Sequence, residues 1–218
     1  MISEEENIEI TLGDVVLRGN LHLRPNSKGI VIFAHGSGSS RFSPRNRFVA
    51  EILQNDGHST LLMDLLTEVE DEVDKRTRKF RFDIPMLANR VSNVKDWVRD
   101  LPDANDLPLG LFGSSTGAAA ALIAAAENPI GVNAVVSRGG RVDLAEDFLG
   151  KVAAATLFIV GERDKTVLEL NREAYKKLKT EKDLKIIEGA SHLFEEPGAL
   201  EQVANITSKW FSDHFQSK

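Results

Sequence analysis

The stretch Leu109-Gly110-Leu111-Phe112-Gly113-Ser114-Ser115-Thr116-Gly117-Ala118-Ala119-Ala120-Ala121-Leu122 decides the fold of this chain. It opens as a short apolar run, passes through Gly-x-Ser-x-Gly and continues rich in alanine, which predicts a strand at 108–112, a tight turn and a helix at 116–127. So sharp a strand-to-helix turn strains the backbone of its central serine and tolerates only small neighbours, here Gly113 and Gly117. It lifts the Ser115 hydroxyl out of the sheet to the positive end of the next helix, where the first amides have no helical partner. Ser115 then reads either as the nucleophile of an acyl transfer or as a serine that merely caps a helix. The flanking strand and helix favour the nucleophile, and the rest of the chain has to supply a base, an acid and an oxyanion hole.

Outward from this turn, apolar runs alternate with helical patterns, the signature of a mostly parallel sheet covered on both faces. Strands are expected at 30–34, 60–64, 132–136, 156–160 and 184–188, and helices at 47–55, 84–100, 167–178 and 198–214. The opening differs: residues 8–12 and 15–23 alternate apolar with polar about Gly13-Asp14 and read as an antiparallel hairpin at the sheet edge. Residues 68–82 are acidic first (Glu68, Glu70, Asp71, Glu72, Asp74) and basic afterwards (Lys75, Arg76, Arg78, Lys79, Arg81), and read as a solvated, mobile connection or as a lid. With no repeat, linker or cap-sized insertion, the expectation is one α/β domain over residues 1–218.

Composition narrows the chemistry. The 218 residues are 42% hydrophobic and 28% charged, which suits a soluble globular protein. A net charge of −6 gives no reason to expect nucleic acid or an anionic membrane as partner. The start of the chain, Met1-Ile2-Ser3-Glu4-Glu5-Glu6, lacks the basic flank and apolar run of a secretory signal, so the cytoplasm is the expected setting. The absence of cysteine excludes disulfides, thiolate metal sites and a thiol nucleophile. The five histidines form no close-spaced ligand pair, so no zinc site is expected, and the acyl transfer read from Ser115 calls for no cofactor.

In an open α/β sheet the reactive groups belong in loops at the carboxyl ends of the strands. The strand ending at Val160 is followed by Gly161-Glu162-Arg163-Asp164, and the one ending near Glu188 by Gly189-Ala190-Ser191-His192. An acid and a histidine thus follow Ser115 in the order Ser, Asp, His. His192 is the candidate base and Asp164 the group that holds its other nitrogen, with Glu162 as the competing acid. After the strand at 30–34 comes His35-Gly36-Ser37-Gly38, whose small residues let a backbone amide approach a substrate; the expected oxyanion donors are the amides of Ser37 and Thr116. His35 reads as an orienting or packing residue. The same loop lacks the Gly-Lys-Ser/Thr ending of a phosphate-binding loop.

These motifs resemble those of α/β-hydrolases, and within them the small, capless dienelactone hydrolase-like proteins. The resemblance is carried by His35-Gly36-Ser37-Gly38, Gly113-Ser114-Ser115-Thr116-Gly117, the Asp164 loop and His192-Leu193-Phe194, and runs from about residue 15 to the end. It implies a Ser115–His192–Asp164 triad and a small-molecule ester as substrate. Characterised dienelactone hydrolases use cysteine where this chain has Ser115, which favours a serine carboxylesterase over hydrolysis of dienelactone itself. Thioesterase and lactonase chemistry use the same triad, and a non-catalytic binding or fusion module is the rival from another class. Arg138, in Ser137-Arg138-Gly139-Gly140-Arg141, and Arg41 and Arg45 read either as clamps for a substrate carboxylate or as partners of the many Asp and Glu residues.

Overall fold

The computed structural model describes residues 5–128 and 131–215. Within them one eight-stranded sheet runs in the order β1-β2-β4-β3-β5-β6-β7-β8. Strands β1 (Glu6–Leu12) and β2 (Val15–His22) pair antiparallel at the edge, and β2 joins β4 (Ser59–Met63) antiparallel. From there β3 (Ile30–Ala34), β5 (Leu109–Ser114), β6 (Ala134–Arg138), β7 (Ala155–Gly161) and β8 (Lys182–Ile187) pair parallel. The hairpin and the alternating α/β rhythm expected from the sequence are both present.

Burial on both faces explains why the central strands read as unbroken apolar runs. Ile32, Leu111, Val135 and Phe158 pack toward α3 (Ile84–Arg99) and α4 (Thr116–Glu127). Phe33, Phe112, Val136 and Ile159 face α1 (Pro44–Asn55) and α6 (Ala199–His214). Helix α4 is buried along its whole length up to Ala126, and its alanines let it lie close against the sheet. A Cβ at Gly113 would strike the Ala118 backbone, and one at Gly117 would strike the carbonyls of Ala34 and His35. These two glycines therefore serve close approach, which the turn pattern required.

Two elements were not legible in the sequence. Residues 68–82 are not a mobile connection: Glu68–Thr77 form helix α2, which starts in a reciprocal capping box between Thr67 and Glu70. Glu70 then makes a two-pronged contact with Arg90 of α3, both bonds 2.6 Å, and buried Asp74 accepts from the amides of Phe80 (2.7 Å) and Arg81 (3.0 Å) and from Arg81 Nε (2.6 Å). These contacts tie α2 to α3 and to the turn that follows α2. The second element is a 3₁₀ segment, Val142–Lys151, after β6. Helix α5 (Lys165–Lys177) follows the Asp164 loop.

Candidate active site

Parallel register brings the carboxyl ends of the central strands to one level, with Ala34 opposite Gly113 and Ser114 opposite Arg138. Ser115 follows at φ 50°, ψ −120°, a left-handed conformation that costs a non-glycine residue of order 1–3 kcal/mol and persists because its surroundings enforce it. Its amide donates to the Arg138 carbonyl at 3.1 Å, and its own carbonyl accepts from Arg141 at 3.0 Å and from Ala118 at 3.2 Å. The elbow is thus held on both sides by backbone bonds, and the hydroxyl spends nothing on capping α4.

Asp164 and His192 come together from the ends of β7 and β8: imidazole Nδ1 donates to Asp164 Oδ2 at 2.5 Å. The carboxylate side chain is 14% exposed, so the bond stands largely out of water. Glu162 is engaged elsewhere and accepts from the Gly189 amide at 2.9 Å, bracing the loop that carries the histidine. The His192 ring lies against Gly139, the residue after the carbonyl that holds the Ser115 amide, so base and elbow share one supporting turn.

The loop after β3 packs over the elbow, with Gly36 against the Ser115 side chain. Buried His35 donates from Nδ1 to the Gly36 carbonyl at 2.8 Å and accepts at Nε2 from the Leu65 amide at 3.0 Å. Burial lowers its pKa against the opposing pull of the Gly36 carbonyl and of Asp64 and Asp71, so it is a neutral brace with both nitrogens spent. The Ser37 amide, expected to be free for an oxyanion, has a partner: it donates to Thr116 Oγ1 at 2.8 Å. The two expected donor residues are tied to each other through a side chain that the Gly-x-Ser-x-Gly pattern leaves open. Beside them a hollow lined by Gly36, Ser37, Leu65, Leu66, Leu87 and Thr116 runs under the α2 strap.

Three arginines approach this end of the sheet, and they divide. Arg41 is spent on Asp64, which takes both its amide (2.7 Å) and its guanidinium, and it stacks on Phe42 at 4.1 Å. Arg45 reaches Glu195 at 3.4 Å. Arg138 is buried with no carboxylate facing it among the described residues. Arg41 thus has a carboxylate partner within the protein, whereas Arg138 has none among the described residues. Among the described residues no cluster of His, Asp or Glu has the makings of a metal site, and no helix is long and apolar enough to cross a membrane. The roomier groove beside Pro108, Asn133 and Trp210 lies at the amino ends of the strands, away from this constellation.

Comparison with known proteins agrees with the fold. A family model for the alpha/beta hydrolase domain matches residues 27–209. A crystal structure named as a dienelactone hydrolase from Anabaena variabilis is 53% identical, with a TM-score of 0.97 over 99% of this chain and 100% of that one. Est1E from Butyrivibrio proteoclasticus, at 18% identity and TM-score 0.80 over 95% of this chain and 98% of that one, shares the fold. A curated Mycobacterium tuberculosis protein with the provisional name phosphoribosyl transferase is 52% identical over 210 residues. That match covers 96% of this chain and 46% of the relative, so the chain spans about half the length of the curated proteins it matches.

Proposed function

The chain belongs to the α/β-hydrolase family, with dienelactone hydrolase-like relatives, and from that premise we propose that it is a serine esterase acting on small carboxylic esters. Ser115 attacks the ester carbonyl while His192 takes the hydroxyl proton, and Asp164 holds the imidazole in the tautomer that presents Nε2. The tetrahedral oxyanion develops against the Thr116 amide, and the Ser37 amide joins it as the Thr116 hydroxyl gives way. His192 returns its proton to the leaving alcohol, and water then releases the acyl group by the same steps in reverse.

The observation that carries this reading is the Asp164–His192 bond, delivered to the turn that strains Ser115. A serine that only capped a helix would need neither the left-handed backbone nor an imidazole whose far nitrogen is oriented by a carboxylate. The absence of cysteine assigns the nucleophile to oxygen and separates this chain from cysteine-dependent dienelactone hydrolysis. We assign the phosphoribosyl transfer in the relatives' name to the part of those longer proteins beyond the stretch matched here.

Labelling with a fluorophosphonate tests the proposal. We expect stoichiometric modification of Ser115, and a loss of ester turnover of roughly 1,000-fold or more in Ser115→Ala. Folded protein that takes no label would mark a non-catalytic binding module instead.

A further inference from the structure

Arg138 is a buried cation with no carboxylate partner among the described residues. It closes β6, gives its carbonyl to the Ser115 amide at 3.1 Å, and precedes the glycine that packs on His192. Strand alternation turns Ser137 toward α4, so the Arg138 side chain turns with Val136 to the opposite face, toward α1 and α6. The residue is 8% exposed, its guanidinium stands 6.0 Å from the Phe194 ring, and neither Nε nor Nη1 has a hydrogen-bond partner.

The charge that acts on it is another cation. Arg45, in the first turn of α1, has a buried Nε that also lacks a partner, and its carboxylate Glu195 lies 3.4 Å away and two-thirds exposed. Burial first, and Arg45 second, push the pKa of Arg138 down to about 10, which leaves it charged at neutral pH. Other buried or half-buried arginines have their own anion: Arg90 has Glu70, Arg81 has Asp74 and Arg41 has Asp64. An unpaired buried charge is costly, and this one sits on the residue whose carbonyl holds the amide of the proposed nucleophile. A guanidinium fork is also the geometry that recognises a carboxylate or phosphate.

We infer that Arg138 and Arg45 form an anion subsite beside Ser115, which receives the carboxylate or phosphate of an acidic ester while its acyl carbonyl lies on the serine. The inference rests on the esterase reading and names its substrate class. Surface cations such as Lys176 and Lys209 are paired along their own helices and offer no comparable site.

The test compares mono-4-nitrophenyl succinate, which is anionic, with 4-nitrophenyl butyrate, which is neutral and similar in size. We expect the parent protein to favour the anionic ester, and the ratio of the two kcat/KM values to fall roughly 10- to 100-fold in Arg138→Met and in Arg45→Gln. Succinate and inorganic phosphate compete with the anionic ester, and the stronger competitor identifies the group the site takes. An unchanged ratio in both variants, or equal losses for both esters, overturns the subsite. Should Arg138→Met fail to fold, Arg45→Gln on the more open side carries the comparison. If neither ester turns over and Ser115 takes no fluorophosphonate, the esterase reading has failed by itself. Calorimetry with succinate and phosphate then decides the subsite: binding that is lost in Arg45→Gln supports it, and no binding to the parent overturns it.

Discussion

Thr116 occupies the position after the nucleophile, where the chemistry asks only for a backbone amide, yet its side chain is nearly fully buried and accepts the Ser37 N–H. A hydroxyl that accepts still has a proton to give, so this contact both satisfies a buried donor and joins the loop after β3 to the elbow. Thr116→Val keeps the shape and removes the acceptor, leaving the Ser37 amide without a partner. The expected result is a loss of about 1–3 kcal/mol of stability, with Thr116→Ser recovering most of it, measured by urea denaturation. Equal stability of the valine variant and the parent would show that the contact is incidental. The residue pattern could not expose this bond, because it joins positions 79 apart in sequence.

At the scale of elements, the strap formed by α2 and the turn to α3 is where charge patterning misleads. Acidic then basic residues read as solvated, and much of α2 does face water, with Val69 75% exposed. Two of its charges turn inward instead. Desolvation alone would raise the pKa values of Glu70 and Asp74, but hydrogen bonds outweigh it: Arg90 and Thr67 act on Glu70, and the Arg81 and Phe80 amides and the Arg81 side chain on Asp74, holding both low. Asp74→Ala removes the acceptor for two amides and a guanidinium together. We expect hydrogen exchange to quicken across residues 78–84 while β3 and β5 keep their protection. Uniform protection in the variant would mean that packing against α3, and not Asp74, holds the strap. Asp71, Asp74 and Arg81 of the strap line the hollow beside Gly36, Ser37 and Thr116, so the strap bounds the crevice on that side.

For the molecule as a whole, buried histidines set the response to mild acid. His58 is fully buried, with Nε2 on Ser212 of α6 at 3.0 Å, and burial, then Lys28, lowers its pKa to about 4 against a weaker pull from Asp56. Burial likewise lowers the pKa of His35. A group whose folded pKa lies below its unfolded value binds more protons when unfolded, so stability is present above about pH 6.5 and is lost as pH falls toward about 4. The urea midpoint is expected to drop between pH 7 and pH 5, before Glu70 and Asp74 begin to protonate, and to drop less in His58→Gln. Parallel slopes in the two proteins would remove His58 as the cause. The anion subsite inferred at Arg138 adds a second whole-molecule property: anions that bind there should raise thermal stability by mass action.

What the amino-acid sequence determined by itself is the set of local signals. Apolar runs bounded by turns located the strands, small residues at 113 and 117 marked the elbow, and acid and histidine after the last two strands followed the order of a triad. These were legible because each depends on a few adjacent residues. Tertiary structure alone decided which charges are paired. Asp164 and not Glu162 meets His192, Asp64 neutralises Arg41, Glu70 anchors the strap through Arg90, and Arg138 is left buried with no anion among the described residues. The physical reason is that strand register and helix packing select partners across tens of residues, and the worth of a charge depends on burial and on what faces it.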